Sequence, residues 1–199
     1  MTTRLIIFGL FLFVLSCSTN SPVDKKSTNN PRADKLRTLL KKIPILPNDT
    51  YTVTFEFPEG KKLYEVDGGT SDSLFFYPMT SIYGLLPDTN HFYSFLSYAP
   101  VAFGPLTLTN IDKNGNVIDE KQLSTELYGC GCGYQWYGKV YVFKNRSFLM
   151  RDSLITFDCD SLGPQTEDKW KHEIATMTAK VLPDGKINLS RLQRTTVKQ

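Results

Sequence analysis

The stretch YTVTFEF, residues 51–57, decides the fold class. Tyr51, Val53, Phe55 and Phe57 alternate with Thr52, Thr54 and Glu56. Successive side chains of a strand point to opposite faces, so this period of two predicts a strand with one buried face. Strand-like sequence recurs downstream near 74–77, 82–86 and 91–98. The stretches 105–112 and 116–123 flank Lys113-Asn114-Gly115, and Asn-Gly is a hairpin signal. The stretches 139–144 and 147–158 flank Asn145-Arg146, while 173–182 and 186–192 flank Pro183-Asp184-Gly185. Short sequential connections favour antiparallel neighbours. The expectation is an all-β body of about nine strands, a mainly antiparallel meander that curls in a barrel-like or propeller-like way.

Upstream of these strands the period changes. Asn30 is placed to cap a helix, Pro31 suits its first position and Asp34 its first turn. Leu36, Leu39, Leu40 and Ile43 follow at helical spacing, and Pro44 and Pro47 end the run. One short N-terminal helix therefore precedes the sheet. Residues 31–199 are read as a single β-rich domain, long enough at about 170 residues to bury a core.

The first thirty residues are of another kind. Arg4 is followed by the apolar run Leu5–Leu15. That run is shorter than the roughly 20 residues of a membrane-spanning helix but fits the apolar region of an export signal. It closes on Val14-Leu15-Ser16-Cys17. This sequence resembles the bacterial lipobox, with valine where leucine is the commoner residue. The resemblance implies cleavage after residue 16 and acylation of Cys17, with palmitate among the chains. Each buried methylene of such a chain contributes about 0.8 kcal/mol, so two or three chains anchor stably. Cys17–Asn30 is polar and reads as a flexible tether reaching about 20 Å. The expected location is the cell envelope, at the outer membrane, on its periplasmic or surface side. The hairpins together with the Gly/Cys stretch of residues 129–133 are similar to small β-rich lipoproteins of Bacteroidetes-type bacteria, whose activities are unassigned.

Composition narrows the function classes. The net charge of +3, less one when Arg4 leaves with the signal, gives no case for a nucleic-acid partner. Thirteen Phe and ten Tyr are many for this length, and they direct attention to aromatic surfaces. Tyr128, Tyr134, Trp136, Tyr137 and Tyr141 crowd a Gly-rich loop around YGCGCGYQWYG; they either cover one end of the sheet core or bind a sugar ring or a protein partner, with Tyr134, Trp136 and Tyr137 as the ligand-binding candidates. Phe75, Phe76, Tyr77, Tyr83, Phe92, Tyr93, Phe95 and Tyr98 read as core.

Three cysteines remain beyond the anchor. Thiols outside the cytoplasm tend to pair, so Cys159 is expected to bridge to Cys130 or Cys132. Zinc held by these cysteines with His91 or His172 is the other reading, although C-x-C is closer than the usual zinc spacing. No cofactor is implied. Asp112–Asn116 resembles a calcium loop, but its glycine falls at the fourth place and Leu123 stands at the twelfth, so a hairpin turn explains it better. Asp158 and Asp160 share one side of a strand end and read as solvated. Asp72-Ser73-Leu74, Asp152-Ser153-Leu154 and Asp160-Ser161-Leu162 are similar to the short O-glycan acceptor motif of exported Bacteroidetes proteins.

The leading reading is a non-catalytic envelope lipoprotein. It is anchored in lipid through acylated Cys17, and its loops bind a protein or glycan partner. A hydrolase or metal-dependent enzyme using His91, His172 and the cysteines is the first alternative. An inhibitor or immunity-type protein is the second.

Overall fold

A computed structural model describes residues 30–54, 63–75, 81–98, 106–125, 133–160, 163–164 and 170–197. The first element is helix α1 (Pro31–Leu40). Asn30 caps it as expected, its side-chain oxygen accepting from Arg32 N at 3.1 Å and Ala33 N at 3.3 Å. Ala33, Leu36 and Leu39 form its buried stripe.

Two antiparallel sheets follow. The five-stranded sheet is a plain meander of β2 (Tyr64–Glu65), β3 (Ser81–Leu85), β4 (Tyr93–Tyr98), β5 (Leu106–Ile111) and β6 (Val117–Gln122). The six-stranded sheet contains β1 (Tyr51–Thr54), β7 (Tyr134–Val142), β8 (Ser147–Thr156) and β11 (Lys171–Val181), in that spatial order. Its far edge is β12 (Ile187–Leu189) and β13 (Gln193–Val197), both paired with β11. Between them Ser190 N donates to Thr178 O at 2.8 Å, and Ser190 Oγ accepts from Thr178 N at 2.9 Å. The two strands thus form one edge broken at a bulge. A two-residue pair, β9 (Cys159–Asp160) with β10 (Gly163–Pro164), lies beyond β8.

The sheets are stacked. Leu96, Leu106 and Leu108 of the five-stranded sheet share one apolar core with Val140, Val142, Phe148 and Met150 of the six-stranded sheet. The opposite face of the five-stranded sheet carries Ile82, Phe95 and Ile111, which pack with Leu36 and Leu39 of α1. Leu74 joins this second core from α2 (Gly68–Leu74). The order of layers is helices, five strands, six strands. Strands β4 and β5 are therefore buried on both sides, while β7, β8 and β11 alternate between buried and accessible positions.

The all-β antiparallel class and the N-terminal helix stand as expected. Among the described residues no ladder joins the two sheets, so closure comes from stacking two layers rather than from a continuous barrel wall. Three local expectations change. Residues 74–77 are not a strand at their start, because Leu74 ends α2 and Phe75 is a bend. Asp67 accounts for this: its carboxylate accepts from Thr70 N at 2.9 Å and so caps the helix start. Strand β7 begins at Tyr134, five residues before the expected 139. His91 lies in a bend before β4 rather than in a strand, and it is exposed. Phe76 and Tyr77 lie outside the described residues. Of the other expected core aromatics, Phe75, Tyr83, Phe92, Phe95 and Tyr98 are buried and Tyr93 is half-buried.

Candidate functional site

The three aromatic candidates stand on strand β7, not in a loop. Alternation separates them. Trp136 points inward with Gly138 and Val140, packing against the buried cluster of Leu154 and Ala175. Tyr137 points outward and is 52% exposed, and Tyr134, at the strand's first residue, is 48% exposed. With Ile45 these are the exposed large hydrophobic residues of the described chain. Tyr137 is thus the candidate whose ring is offered to solvent from within a strand, opposite Ser153 of β8.

The register of β7, β8 and β11 fixes what surrounds it. Tyr137 pairs with Ser153, and Ser153 with Ile174. One row away Lys139 pairs with Arg151, and Arg151 with Thr176. On the other side Gln135 pairs with Ile155, and Ile155 with His172. Ser153 Oγ and His172 Nε2 lie 2.6 Å apart across the two strands. A hydroxyl beside an imidazole is the start of a nucleophile–base pair, which needs a third group to orient the base. No carboxylate stands at an outward position of the described strands around His172, since Glu173 and Asp152 occupy inward positions. The contact joins β8 and β11 diagonally on the outward face.

The inward neighbour of Ser153 is the fully buried Asp152. Gly138 on β7 and Ala175 on β11 flank it in register, which leaves room for a carboxylate inside the sheet. Its Oδ2 accepts from Thr125 N at 2.8 Å and from Thr125 Oγ1. Its Oδ1 has no hydrogen-bond partner among the described residues. Burial raises its pKa above the ordinary carboxylate range, and the two Thr125 bonds pull it down by less. Thr125 also lines a cleft of ≈ 370 Å³ between the end of β6 and the β11–β12 edge, with Ser124, Met177, Leu189 and Leu192.

No family model matches this chain, and no curated protein or solved structure matches it either.

The remaining sequence candidates scatter. Cys17, Cys130 and Cys132 lie outside the described residues, and Cys159 sits in β9. Phe157 N donates to Gly133 O at 3.0 Å, so the chain after Cys132 and the chain before Cys159 meet at one end of the β7–β8 ladder. His91 and His172 stand on separate elements, one in a bend and one in β11. Among the described residues no three His, Cys, Asp or Glu side chains gather as a metal set. Asp112 is used by its own turn, accepting from Asn114 N and Asn116 N, each at 2.8 Å. Burial raises its pKa, but the bonds from Asn116, Asn114 and Gly115 outweigh it and leave the carboxyl below the ordinary range. Asp158 is exposed after β8. Of the acceptor-like serines, Ser73 is in α2, Ser153 is in β8 and Ser161 lies outside the described residues.

Sequence reasoning did not single out Lys139, Arg151, Thr125 or the buried state of Asp152. The Lys139–Arg151 pairing was accessible by counting back from the Asn145-Arg146 turn. Lys144–Arg146 form a three-residue loop with Arg146 at φ 56, which sets Val142 against Phe148 and every pair below it.

Proposed function

We propose that this chain is an envelope lipoprotein, held by acyl chains on Cys17, whose β domain binds an envelope partner through the outward face of the six-stranded sheet. The anchor rests on Leu5–Cys17, an apolar run closed by a small residue and a cysteine in lipobox register. The binding role rests on one observation, the half-exposed ring of Tyr137 on the outward face of the β7–β8 ladder. A solvated aromatic there forgoes burial that it would gain against a partner. Beyond the anchor the domain crosses nothing with its helices, since no helix among the described residues is long and apolar enough to span a membrane. An oxidising location also supports a bridge from Cys159 to Cys130 or Cys132.

Two measurements test this. Cells fed a palmitate analogue should label the wild-type chain and not Cys17→Ala; label persisting on the variant would end the anchor. A photo-crosslinking residue in place of Tyr137 should capture an envelope component in intact cells. The same residue in place of Asp34, on exposed α1 surface, should not. Equal capture from both positions would end the binding reading.

A further inference from the structure

The outward face around Tyr137 has a one-sided charge. Lys139 on β7 and Arg151 on β8 are direct cross-strand partners, and both are exposed. Residues so placed have Cβ atoms about 4.5–5.5 Å apart, and like charges there repel. Neither side chain makes an ion pair or a side-chain hydrogen bond among the described residues. Lys180 adds a third cation on β11, opposite Asn188. At the outward positions of all six strands there is no Asp or Glu. The paired neighbours are Thr, Ser, Gln, Asn, Tyr, His172 and aliphatic residues. Two cations held together without a counter-charge are a cost to the fold that an anion seated between them would relieve.

The rest of the face narrows the anion's carrier. Tyr137 stands one outward position along β7 from Lys139, and Tyr141 one position beyond on the other side. The two rings thus bracket the cations over about 13 Å at the usual strand rise. Thr176 adds a hydroxyl in the cations' own row and Ser153 one in the adjoining row. The cations and rings lie on the face of the paired strands β7 and β8, so side-chain chemistry rather than main-chain pairing selects what docks on them. A second copy of this chain would bring the same cations against these. Flat rings beside hydroxyls and unpaired cations suit a chain of sugar rings that carries carboxylates.

We propose that this face is a docking surface for an acidic polysaccharide, with an anionic group between Lys139 and Arg151 and a sugar ring stacked on Tyr137. The proposal rests on the partner-binding reading above and gives that partner a chemistry.

The test uses the acylated full chain in detergent micelles, titrated with polygalacturonate, neutral dextran and polyglutamate. Polygalacturonate should bind, and its Kd should weaken about tenfold in Arg151→Gln and again in Lys139→Gln. Added salt should weaken it as well. Lys144→Gln, at a lysine paired with Asp49 away from this face, should leave the Kd unchanged. Arg151→Glu places opposite charges in register, so it should hold or raise the Tm while abolishing binding. Dextran bound as tightly as polygalacturonate would overturn the proposal, and so would polyglutamate bound as tightly. Failure of polygalacturonate to bind, with crosslinking from position 137 intact, would overturn the acidic-glycan assignment and leave partner binding standing. Failure of both would remove both.

Discussion

At the scale of single residues, Asp152 carries the clearest consequence. Its carboxyl sits above the ordinary range in the fold because it is buried. The folded chain therefore keeps a proton there that the unfolded chain releases at lower pH. Stability from this site is greatest below the ordinary carboxylate value and falls as pH rises through the raised one. Urea midpoints of the wild type should carry this decline as pH rises out of the ordinary carboxylate range. Asp152→Asn cannot titrate and keeps an oxygen for Thr125, so its profile should be flatter over that rise. Equal slopes in the two proteins would show that the carboxyl is charged throughout. Nothing in the sequence announced this residue. Asp152-Ser153-Leu154 reads as a surface motif, and only the strand's phase sends Asp152 inward and Ser153 outward. Tyr137, by contrast, was legible by residue type alone, though the strand and not a loop presents it. Trp136 shared the same signal and went the other way, because alternation separates neighbours that a cluster of aromatics in the sequence lumps together.

Elements were legible where their punctuation is local. The Asp112–Asn116 turn, the Pro183–Gly185 turn and the cap at Asn30 all appear where Asn, Gly, Pro and Asp placed them. Gly115 at φ 88 also lets that turn abut α1, where a Cβ would meet Arg32 backbone at 2.9 Å. Helix α2 was not legible, since Gly68 and Gly69 open it and glycine argues for a loop; the Asp67 cap outweighs them. Strand β3 shows a different kind of hidden constraint. The β3–β4 register shifts between Ile82 and Gly84, and the chain after α1 docks there. Leu46 N donates to Leu85 O at 2.8 Å, and Leu85 N donates to Pro44 O at 2.9 Å. This fixes Leu46 over Gly84, where an added Cβ would lie 2.5 Å from Leu46 side-chain carbons. Gly84→Ala should therefore cost about 1–3 kcal/mol by overpacking, read as a lower urea midpoint at unchanged slope. Stability equal to wild type would mean that Leu46 moves aside freely and that the docking of this segment is loose.

For the whole molecule, the decisive feature is that the chain leaves one sheet and returns to it. Strand β1 pairs with β7, so the whole five-stranded meander is inserted between two neighbours of the six-stranded sheet. Hairpin signals give pairs of strands, but they carry no record of such a departure. The antiparallel all-β class was therefore legible, while the choice among barrel-like, curled and propeller-like meanders was not resolved into two stacked sheets. The stacking has an energetic corollary. Leu108 of the inserted sheet and Phe148 of the other are both fully buried in one shared core, so neither sheet keeps its inner face dry alone. Leu108→Ala should cost about 2–5 kcal/mol. Both tryptophans report on the six-stranded side: Trp136 lies in β7, and Trp170, stacked on Phe157 at 4.8 Å, immediately precedes β11. If the layers unfold as one unit, Leu108→Ala should lower the midpoint seen by tryptophan fluorescence as much as the one seen by circular dichroism. A fluorescence midpoint left in place while the circular-dichroism transition splits would show that the six-stranded sheet, the layer proposed to meet the partner, stands without the rest.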